Sequence, residues 1–138
     1  MRSAAPLRSP RPSVRKQARG AKAWRDGQGV EILAALWLMA RGWRVLGMRL
    51  KTPLGEIDLL ARRGAVLAVV EVKRRRTLDE ALAAVSLAQR ERLRRAGETL
   101  AARRADLRGL SVRLDLLAIG KGGWPRHVPD AWPQDARP

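Results

Sequence analysis

The chain contains no cysteine, no phenylalanine, no tyrosine and a single histidine. The absence of cysteine excludes disulfides, thiolate zinc sites and a cysteine nucleophile. His127 stands in a Pro- and Gly-rich stretch without metal-ligand residues nearby, which disfavours a Ser-His-Asp triad or a histidine zinc cluster and predicts no role for it. Hydrolytic chemistry would therefore depend on carboxylates, lysine and a metal that prefers oxygen ligands, which points to Mg²⁺ or Mn²⁺.

Long hydrophobic runs are also absent. The longest, Ile32 to Ala40, has nine residues, whereas a helix that spans a bilayer needs about 20. The first 30 residues hold no apolar segment of the kind that a secretory signal peptide requires. Their basic residues also lack the apolar face of an interfacial helix. We therefore expect a cytoplasmic protein without a membrane partner.

Acidic residues are few. The chain carries 29 Lys and Arg against 13 Asp and Glu, a net charge of +16, and its pI is near 11.9. Eight of the basic residues precede the first acid, Asp26, so the rest of the chain still carries +8. This balance favours a polyanionic partner, which we expect to be nucleic acid and preferably DNA. With five Trp as the only aromatic residues, recognition of backbone shape fits better than base stacking.

Proline and glycine divide the chain into three parts. Residues 1–24 are predicted to be a basic disordered tail and residues 120–138 a Pro/Gly-rich flexible tail, because neither stretch has the composition to build a core. The remaining part, residues 25–119, is long enough for one modest domain.

Hydrophobic periodicity and cap signals predict the secondary structure of this domain. The first helix is ended by Gly42, and the second begins with a capping box from Thr77 to Glu80 and restarts or kinks at Ser86. The predicted helices cover residues 30–41 and 77–104, and the predicted strands cover residues 43–50, 55–60, 65–73 and 111–119. The predicted order is α-β-β-β-α-β.

The most informative motif is Gly55-Glu56-Ile57-Asp58, followed 13 positions after Asp58 by Glu71-Val72-Lys73. Arg63-Gly64 is a turn signal between the two pieces and predicts an antiparallel hairpin. With that two-residue turn, Glu56 would lie opposite Glu71 and Asp58 opposite Val69. Side chains alternate along a strand, so each strand should have one charged and one apolar face, with the acids and Lys73 on the same side.

Three carboxylates gathered in this way repel one another unless a cation lies among them, and Lys73 alone cannot neutralise them. A hard divalent metal would neutralise them. Acids that alternate with apolar residues are also typical of any half-solvated sheet, but the ordered pair of motifs is far more specific. The hairpin therefore predicts the outline of a metal-dependent nuclease site.

Glu31 is the only acid of the first predicted helix, and no basic residue lies three or four positions away. It therefore needs a partner elsewhere in the fold or a metal, although an acid at a helix start is also favourable to the helix dipole. Beside the hairpin motif, Glu31 becomes a candidate fourth acid.

These motifs resemble the YraN family of small bacterial proteins, in which a Glu-x-x-Ala helix pattern precedes a Gly-Glu-Ile-Asp strand and a Val-Glu-Val-Lys strand. In this chain the helix pattern is Glu31 to Ala34 and the second strand is Val70 to Lys73. The late Arg113-Leu114-Asp115 is a further match. The family is similar in motif order to restriction-endonuclease-like nucleases and to archaeal Holliday-junction resolvases. The resemblance, over residues 25–119, implies an α/β fold with a mixed central sheet flanked by helices. A resolvase-like role would favour a homodimer.

The same resemblance implies a metal-dependent endonuclease that hydrolyses phosphodiester bonds in DNA, with branched or structured DNA as candidate substrates. Glu31, Asp58 and Glu71 would be the catalytic metal ligands. Lys73 would orient or deprotonate the attacking water and offset the charge that develops on the phosphate.

Further residues would support this site. Glu56 would be an additional acid beside the metal ligands, and Asp115 belongs to the late family motif. Gln89 stands where the family tends to have a lysine, so a positive charge that could meet a phosphate is missing there. The predicted nucleic-acid contacts are Arg74, Arg75, Arg90 and Arg94.

Two other classes of function stay open. The chain could be a noncatalytic nucleic-acid-binding accessory protein that retains a nuclease fold, or a small basic protein that docks an acidic protein partner. The enzyme and the binder differ at Asp58, Glu71 and Lys73. In an enzyme, loss of any of them abolishes turnover while binding survives; in a pure binder, loss of an acid leaves binding unchanged or tightens it.

Overall fold

A five-stranded sheet forms the centre of the computed structural model, which describes residues 28–134. The predicted basic tail, residues 1–24, lies outside the described residues. In chain order the elements are α1 (Gln28–Ala40), β1 (Arg44–Thr52), β2 (Gly55–Arg63), β3 (Val66–Arg74), α2 (Leu78–Ala83), α3 (Leu87–Arg103), a short 3-10 helix (Ala105–Leu107), β4 (Ser111–Ile119) and β5 (Pro125–Val128).

The strands lie side by side in chain order. The pairs β1–β2, β2–β3 and β4–β5 are antiparallel, and β3–β4 is parallel because α2 and α3 form the crossover between them. The predicted α/β class with a mixed sheet flanked by helices is therefore confirmed. The break predicted in the second helix is also observed, since Thr77 and Ser86 each accept a hydrogen bond from a backbone N–H three residues later.

Helices cover both faces of the sheet. On one face α2 and α3 pack against the α3-side core, which includes Ile57, Leu60, Val69, Leu93 and Leu114. On the other face α1 packs against the α1-side core, which includes Leu38, Trp43, Leu59, Val70 and Leu117.

Burial on both faces corrects the expectation that each hairpin strand has one charged and one apolar face. Every residue of β3 from Leu67 to Val72 is buried, as expected for a strand covered on both sides. Ile57 and Leu59, predicted to share one apolar face, belong to different cores.

The register of the β2–β3 hairpin differs from the predicted one by two residues. Arg63 pairs with Val66, so the turn consists of Gly64 and Ala65 rather than Arg63 and Gly64. Gly64 has φ +60°, which a type II′ turn needs at its first central position. A shift by two residues keeps every side chain on its side of the sheet. It brings Asp58, in place of Glu56, next to Glu71.

The sheet continues beyond residue 119, where the sequence predicted a flexible tail. β5 pairs with β4, and Trp132 is buried in the α3-side core. Pro125 is compatible with this position because an edge strand does not need every backbone N–H for pairing. The folded part therefore reaches at least Trp132. No helix within residues 28–134 is long and apolar enough to cross a membrane.

Candidate active site

Asp58 lies where β2 and β3 separate. The backbone ladder between these strands begins at Leu59 and Val70, and one step beyond it the Asp58 carboxylate accepts a hydrogen bond from the Val72 N–H at 2.9 Å. The side chain thus satisfies a backbone donor that has lost its partner strand. Ile57 and Leu59, on either side of Asp58, belong to opposite cores.

Glu71 is the most buried acid of the hairpin, with 4% of its surface exposed. Its Oε2 atom accepts a hydrogen bond from Gln89 Nε2 on α3 at 3.1 Å and lies 3.3 Å from Lys73 Nζ. The Glu71 and Asp58 carboxyl groups are close enough for the charge of Asp58 to raise the pKa of Glu71. The structure therefore brings together four residues that the sequence predicted for the site: Asp58, Glu71, Lys73 and Gln89.

The protonation of this pair reflects burial and mutual repulsion. The pKa of Glu71 is raised to about 7, first by burial and then by the negative charge of Asp58, against the lowering effect of Lys73. Burial likewise raises the pKa of Asp58, although the Val72 N–H partly offsets it. Two carboxyl groups in this environment do not both ionise readily without a cation beside them.

Glu31 approaches the pair from the first turn of α1. Burial is the main cause that raises the pKa of Glu31, followed by the charge of Asp58, while Arg49 on β1 lowers it. Glu31 Oε1 lies 3.6 Å from Arg49 Nε, too far for a hydrogen bond, and among the described residues this buried oxygen has no hydrogen-bond partner. Arg49 itself has φ +49°, an uncommon conformation for arginine.

Glu56 is exposed and contributes charge to the site from its rim. Its negative charge is among the causes that raise the pKa values of Asp58 and Glu31. Lys51 on the neighbouring strand β1 is paired with Glu56 in the sheet. Glu56 is therefore a neighbour of the buried acids and is itself well solvated.

The acids fit a hard metal ion in type but do not form a finished cage. Within residues 28–134, no three Asp, Glu or His side chains are grouped closely enough to count as a metal cluster. The charge of Asp58 raises the pKa values of both Glu71 and Glu31, so the three acids are electrostatic neighbours. Carboxylate oxygens are the ligands that Mg²⁺ and Mn²⁺ prefer, and Glu31 Oε1, which has no hydrogen bond among the described residues, is a further oxygen donor.

Asp115, predicted to support the site, has a different set of partners. It is fully buried and accepts two hydrogen bonds from Arg113, at 2.8 and 2.9 Å, and one from the Asp130 N–H at 2.9 Å. His127 Nε2 lies 2.8 Å from its Oδ2. Burial would raise the pKa of Asp115, but the hydrogen bonds from His127 and Arg113 outweigh it and hold the pKa below its ordinary value. These contacts tie β5 and the following loop to β4.

His127 therefore has a structural role, which corrects the prediction that it has none. Its ring lies edge-on to Trp37 and Trp43, with centroid distances of 5.9 and 6.0 Å, and it bonds Asp115. This role was not predicted because β5 follows a Gly-rich turn and begins with proline. The sequence around His127 therefore has no hydrophobic period that would indicate a strand paired with β4.

The predicted helix arginines, Arg90 and Arg94, both contact Trp132. Arg90 donates to the Val85 carbonyl at 2.9 Å and stacks over Trp132, and Arg94 donates to the Trp132 carbonyl at 2.6 Å. Both side chains therefore hold the C-terminal segment. Arg92, which the sequence did not single out, lies beside Gly55 at the start of β2.

Gly55 explains why Arg92 can reach the hairpin motif. A β-carbon at Gly55 would lie 3.1 Å from Arg92 Nε, and φ is +128° there, a conformation that side-chain-bearing residues rarely adopt. The only sequence signal for Arg92 is its spacing three residues after Gln89 on the same helix, which places both on the side of the hairpin.

Fold and site together define an α/β protein whose mixed sheet carries a buried Glu71 and a half-buried Asp58 beside a lysine. Residues 30–119 match the family described as Uncharacterised protein family UPF0102, and the chain belongs to this family, which confirms the YraN resemblance. A UPF0102 protein of Caulobacter vibrioides (strain NA1000 / CB15N) is 64% identical over 117 residues, covering 85% of this chain and 94% of the relative.

More distant relatives extend the same likeness over nearly the whole chain. A UPF0102 protein of Caulobacter sp. (strain K31) is 60% identical over 133 residues, covering 96% of this chain and 95% of the relative. A UPF0102 protein of Rhizobium meliloti (strain 1021) is 44% identical over 126 residues, covering 91% of this chain and all of the relative.

Proposed function

We propose that the protein is a metal-dependent endonuclease that hydrolyses phosphodiester bonds in DNA at the site formed by Asp58, Glu71 and Lys73. The observation that carries the proposal is the position of Asp58, bound to the Val72 N–H, beside the buried Glu71, whose Oε2 atom lies 3.3 Å from Lys73 Nζ. This arrangement stands in a chain of net charge +16, which suits a polyanionic substrate.

Asp58 and Glu71 would hold Mg²⁺ or Mn²⁺, with Glu31 as a third oxygen donor. When bound, such an ion supplies a Lewis acid and lowers the pKa of water that attacks a phosphate. The donors are of the right type, and the raised pKa values of all three acids indicate an environment that a cation would relieve. Glu31 Oε1 also supports this assignment, because it is buried and has no hydrogen bond among the described residues, with Arg49 Nε 3.6 Å away.

The chain's own residues fix the geometry of these groups. The Val72 N–H holds the Asp58 carboxylate, and Gln89 holds Glu71 from the facing helix. Lys73, which is partly exposed, would orient the attacking water and offset negative charge on the phosphate in the transition state. Gln89 provides a donor without the charge that the family's lysine would add.

The experiment that tests the proposal is cleavage of labelled DNA with Mg²⁺ or Mn²⁺. Linear duplex, single-stranded, flap and four-way-junction substrates are compared for wild type, Asp58→Asn and Lys73→Met. Asp79→Asn is the matched control, since Asp79 is an exposed acid in the first turn of α2. Metal-dependent cutting by wild type and Asp79→Asn, lost in the other two variants, is the expected result. Equal cutting by all four proteins would reject the site.

The alternative is a noncatalytic nucleic-acid-binding accessory protein. One observation favours it: Glu71 already has Lys73 and Gln89 as partners, so a metal is not needed to satisfy its charge. In that case no DNA would be cut under any condition, and Asp58→Asn would bind DNA as tightly as wild type or more tightly.

A further inference from the structure

A pocket opens at the C-terminal end of β3, just after Lys73 of the proposed active site. Its volume is about 310 Å³, and the side chains that line it are all cationic: Arg74, Arg75, Arg76 and Lys121. The Arg75 N–H donates to the Ile119 carbonyl at 3.2 Å, which holds the end of β3 beside the end of β4. These two strands are parallel, and ligands of open α/β sheets bind where the carboxyl ends of such strands meet.

The pocket is within reach of a strand bound at the active site. Lys73 directly precedes Arg74, and at about 3.3 Å per residue of fully extended chain the backbones of Arg75 and Arg76 lie at most about 7 and 10 Å from it. One DNA strand carries a charge about every 3.4 Å along the helix axis. Phosphates two or three nucleotides from the one at Lys73 would therefore reach the pocket.

Three of the four cations of this pocket, Arg75, Arg76 and Lys121, are available to a phosphate. Within residues 28–134, the ion pairs engage none of Arg75, Arg76 and Lys121. All three side chains are exposed. A concave site with several exposed cations and no acid in its lining favours an anionic ligand with more than one charge.

An exposed aromatic ring lies in the same hairpin loop as Lys121. Trp124 is 75% exposed, an unusual state for the largest apolar side chain. The loop is tightened by hydrogen bonds from the Gly123 N–H to the Gly120 carbonyl at 2.9 Å and from the Gly120 N–H to the Trp124 carbonyl at 3.4 Å. Cationic grooves combined with exposed aromatic rings are typical of sites for single-stranded nucleic acid.

We infer that the residues of this pocket and Trp124 bind an unpaired nucleotide strand. The arginines and Lys121 hold its phosphates, and Trp124 stacks on one of its bases. The inference rests on the proposed nuclease function and specifies its substrate class, namely DNA in which a single-stranded segment adjoins a duplex. It also revises the expectation from composition that base stacking has little part in recognition, because one of the five Trp is placed for it.

The test is DNA affinity by fluorescence anisotropy in EDTA, where cleavage cannot occur. Blunt duplex and duplex with a 3′ or 5′ single-stranded tail, all with the same number of phosphates, are compared across a range of salt concentrations. Wild type should bind a tailed duplex about tenfold more tightly than the blunt one. Trp124→Leu should lose this preference, and Trp124→Phe, which keeps a ring for stacking, should retain it.

The phosphate contacts are tested separately with Lys121→Ala. This variant should reduce the slope of log affinity against log salt on the tailed duplex by about 0.7. Arg108→Ala is the matched control because Arg108 is also exposed but precedes β4, at the opposite end of that strand. It should leave the slope unchanged.

Equal affinity for blunt and tailed duplexes, or an unchanged preference in Trp124→Leu, would overturn the inference. Its failure differs from that of the proposed function. If the tail preference is present but DNA is never cut, the nucleotide site stands and the nuclease proposal fails. If DNA is cut without any tail preference, the nuclease stands and this site fails.

Discussion

Gln89 Nε2 on α3 donates a hydrogen bond to Glu71 Oε2 on β3 at 3.1 Å, and Lys73 Nζ lies 3.3 Å from the same oxygen. One buried carboxylate oxygen thus has a neutral donor from a helix and a charged neighbour from its own strand. The helix donor fixes the side chain, and the lysine offsets part of its charge.

Removal of the helix donor should weaken both the fold and the site. Gln89→Ala leaves a buried carboxyl without one hydrogen bond, so the free energy of unfolding in urea should fall by about 1 to 2 kcal/mol. Gln89→Lys keeps a donor and adds charge, so it should restore stability and lower the pKa of Glu71. If Gln89→Ala unfolds at the same urea concentration as wild type, the contact has no energetic role.

The raised pKa of Glu71 makes stability depend on pH in a defined direction. Below pH 4.5 the acid is protonated in both states. As the pH rises towards 7, the unfolded chain releases this proton first, so the metal-free protein loses stability, by an amount on the order of 3 kcal/mol from this group. Urea unfolding in EDTA between pH 5 and 8 should show a smaller decline for Glu71→Gln. Identical declines would contradict the raised pKa.

A divalent metal should reverse this loss. An ion that binds only the folded protein stabilises it by about 2.7 kcal/mol at 100 times its dissociation constant. Mg²⁺ or Mn²⁺ should therefore raise the melting temperature of wild type at pH 8, and Asp58→Asn should respond much less. Asp79→Asn is the control for the charge change and should respond as wild type does. The same increase in all three proteins would place the ion elsewhere.

Close packing of α3 on the sheet predicts that Gly97 cannot be replaced. A β-carbon there would lie 2.6 Å from Val69 Cγ2 and 3.0 Å from Val112 Cγ1. Alanine gains up to about 1 kcal/mol in helix propensity, but the overlap costs about 1 to 3 kcal/mol. Gly97→Ala should therefore lower the melting temperature in thermal unfolding. Val69→Ala should make room for the added β-carbon. The loss of stability in the double variant should therefore be smaller than the sum of the losses in the two single variants. Strict additivity would argue against this contact.

The buried Asp115 carboxylate should be essential for attachment of β5. Asp115→Ala leaves the Arg113 side chain, the His127 side chain and the Asp130 N–H without their acceptor, and loss of one partner of a buried charge pair costs about 3 to 5 kcal/mol. Hydrogen exchange at Val128 should accelerate in this variant. Asp106→Ala, which removes an exposed acid paired with Arg104, is the control and should change stability little. Equal effects would contradict the structural role of Asp115.

Local signals were sufficient for most of the fold. β4 has the predicted bounds, Ser111–Ile119, because its apolar residues alternate clearly. The hairpin register was wrong by two residues because the sequence contains a Gly that suits either central position of a tight turn. β5 and Trp132 were missed because their stability comes from contacts with β4 and from Arg90 and Arg94, which no local pattern shows.

The candidate site was predictable in its residues and less so in their contacts. Asp58, Glu71 and Lys73 lie together because the two-residue change of register keeps their side of the sheet, and Gln89 reaches Glu71 from α3. The role of the Val72 N–H and the position of Arg92 depend on where β2 leaves β3 and on how α3 crosses it. These are tertiary features that strand and helix periods do not encode.

The most direct test of the central claim is to measure DNA affinity and single-turnover cleavage on the same preparations of wild type, Glu71→Gln and Glu98→Gln with Mn²⁺. Glu98 is an exposed acid on α3, so its variant controls for the change in charge. Glu71→Gln should cut roughly 100-fold more slowly or worse while it binds DNA at least as tightly, and Glu98→Gln should match wild type. Wild-type protein that binds DNA without metal-dependent cutting, or a Glu71→Gln variant that cuts at the wild-type rate, would contradict the assignment of this site as a nuclease.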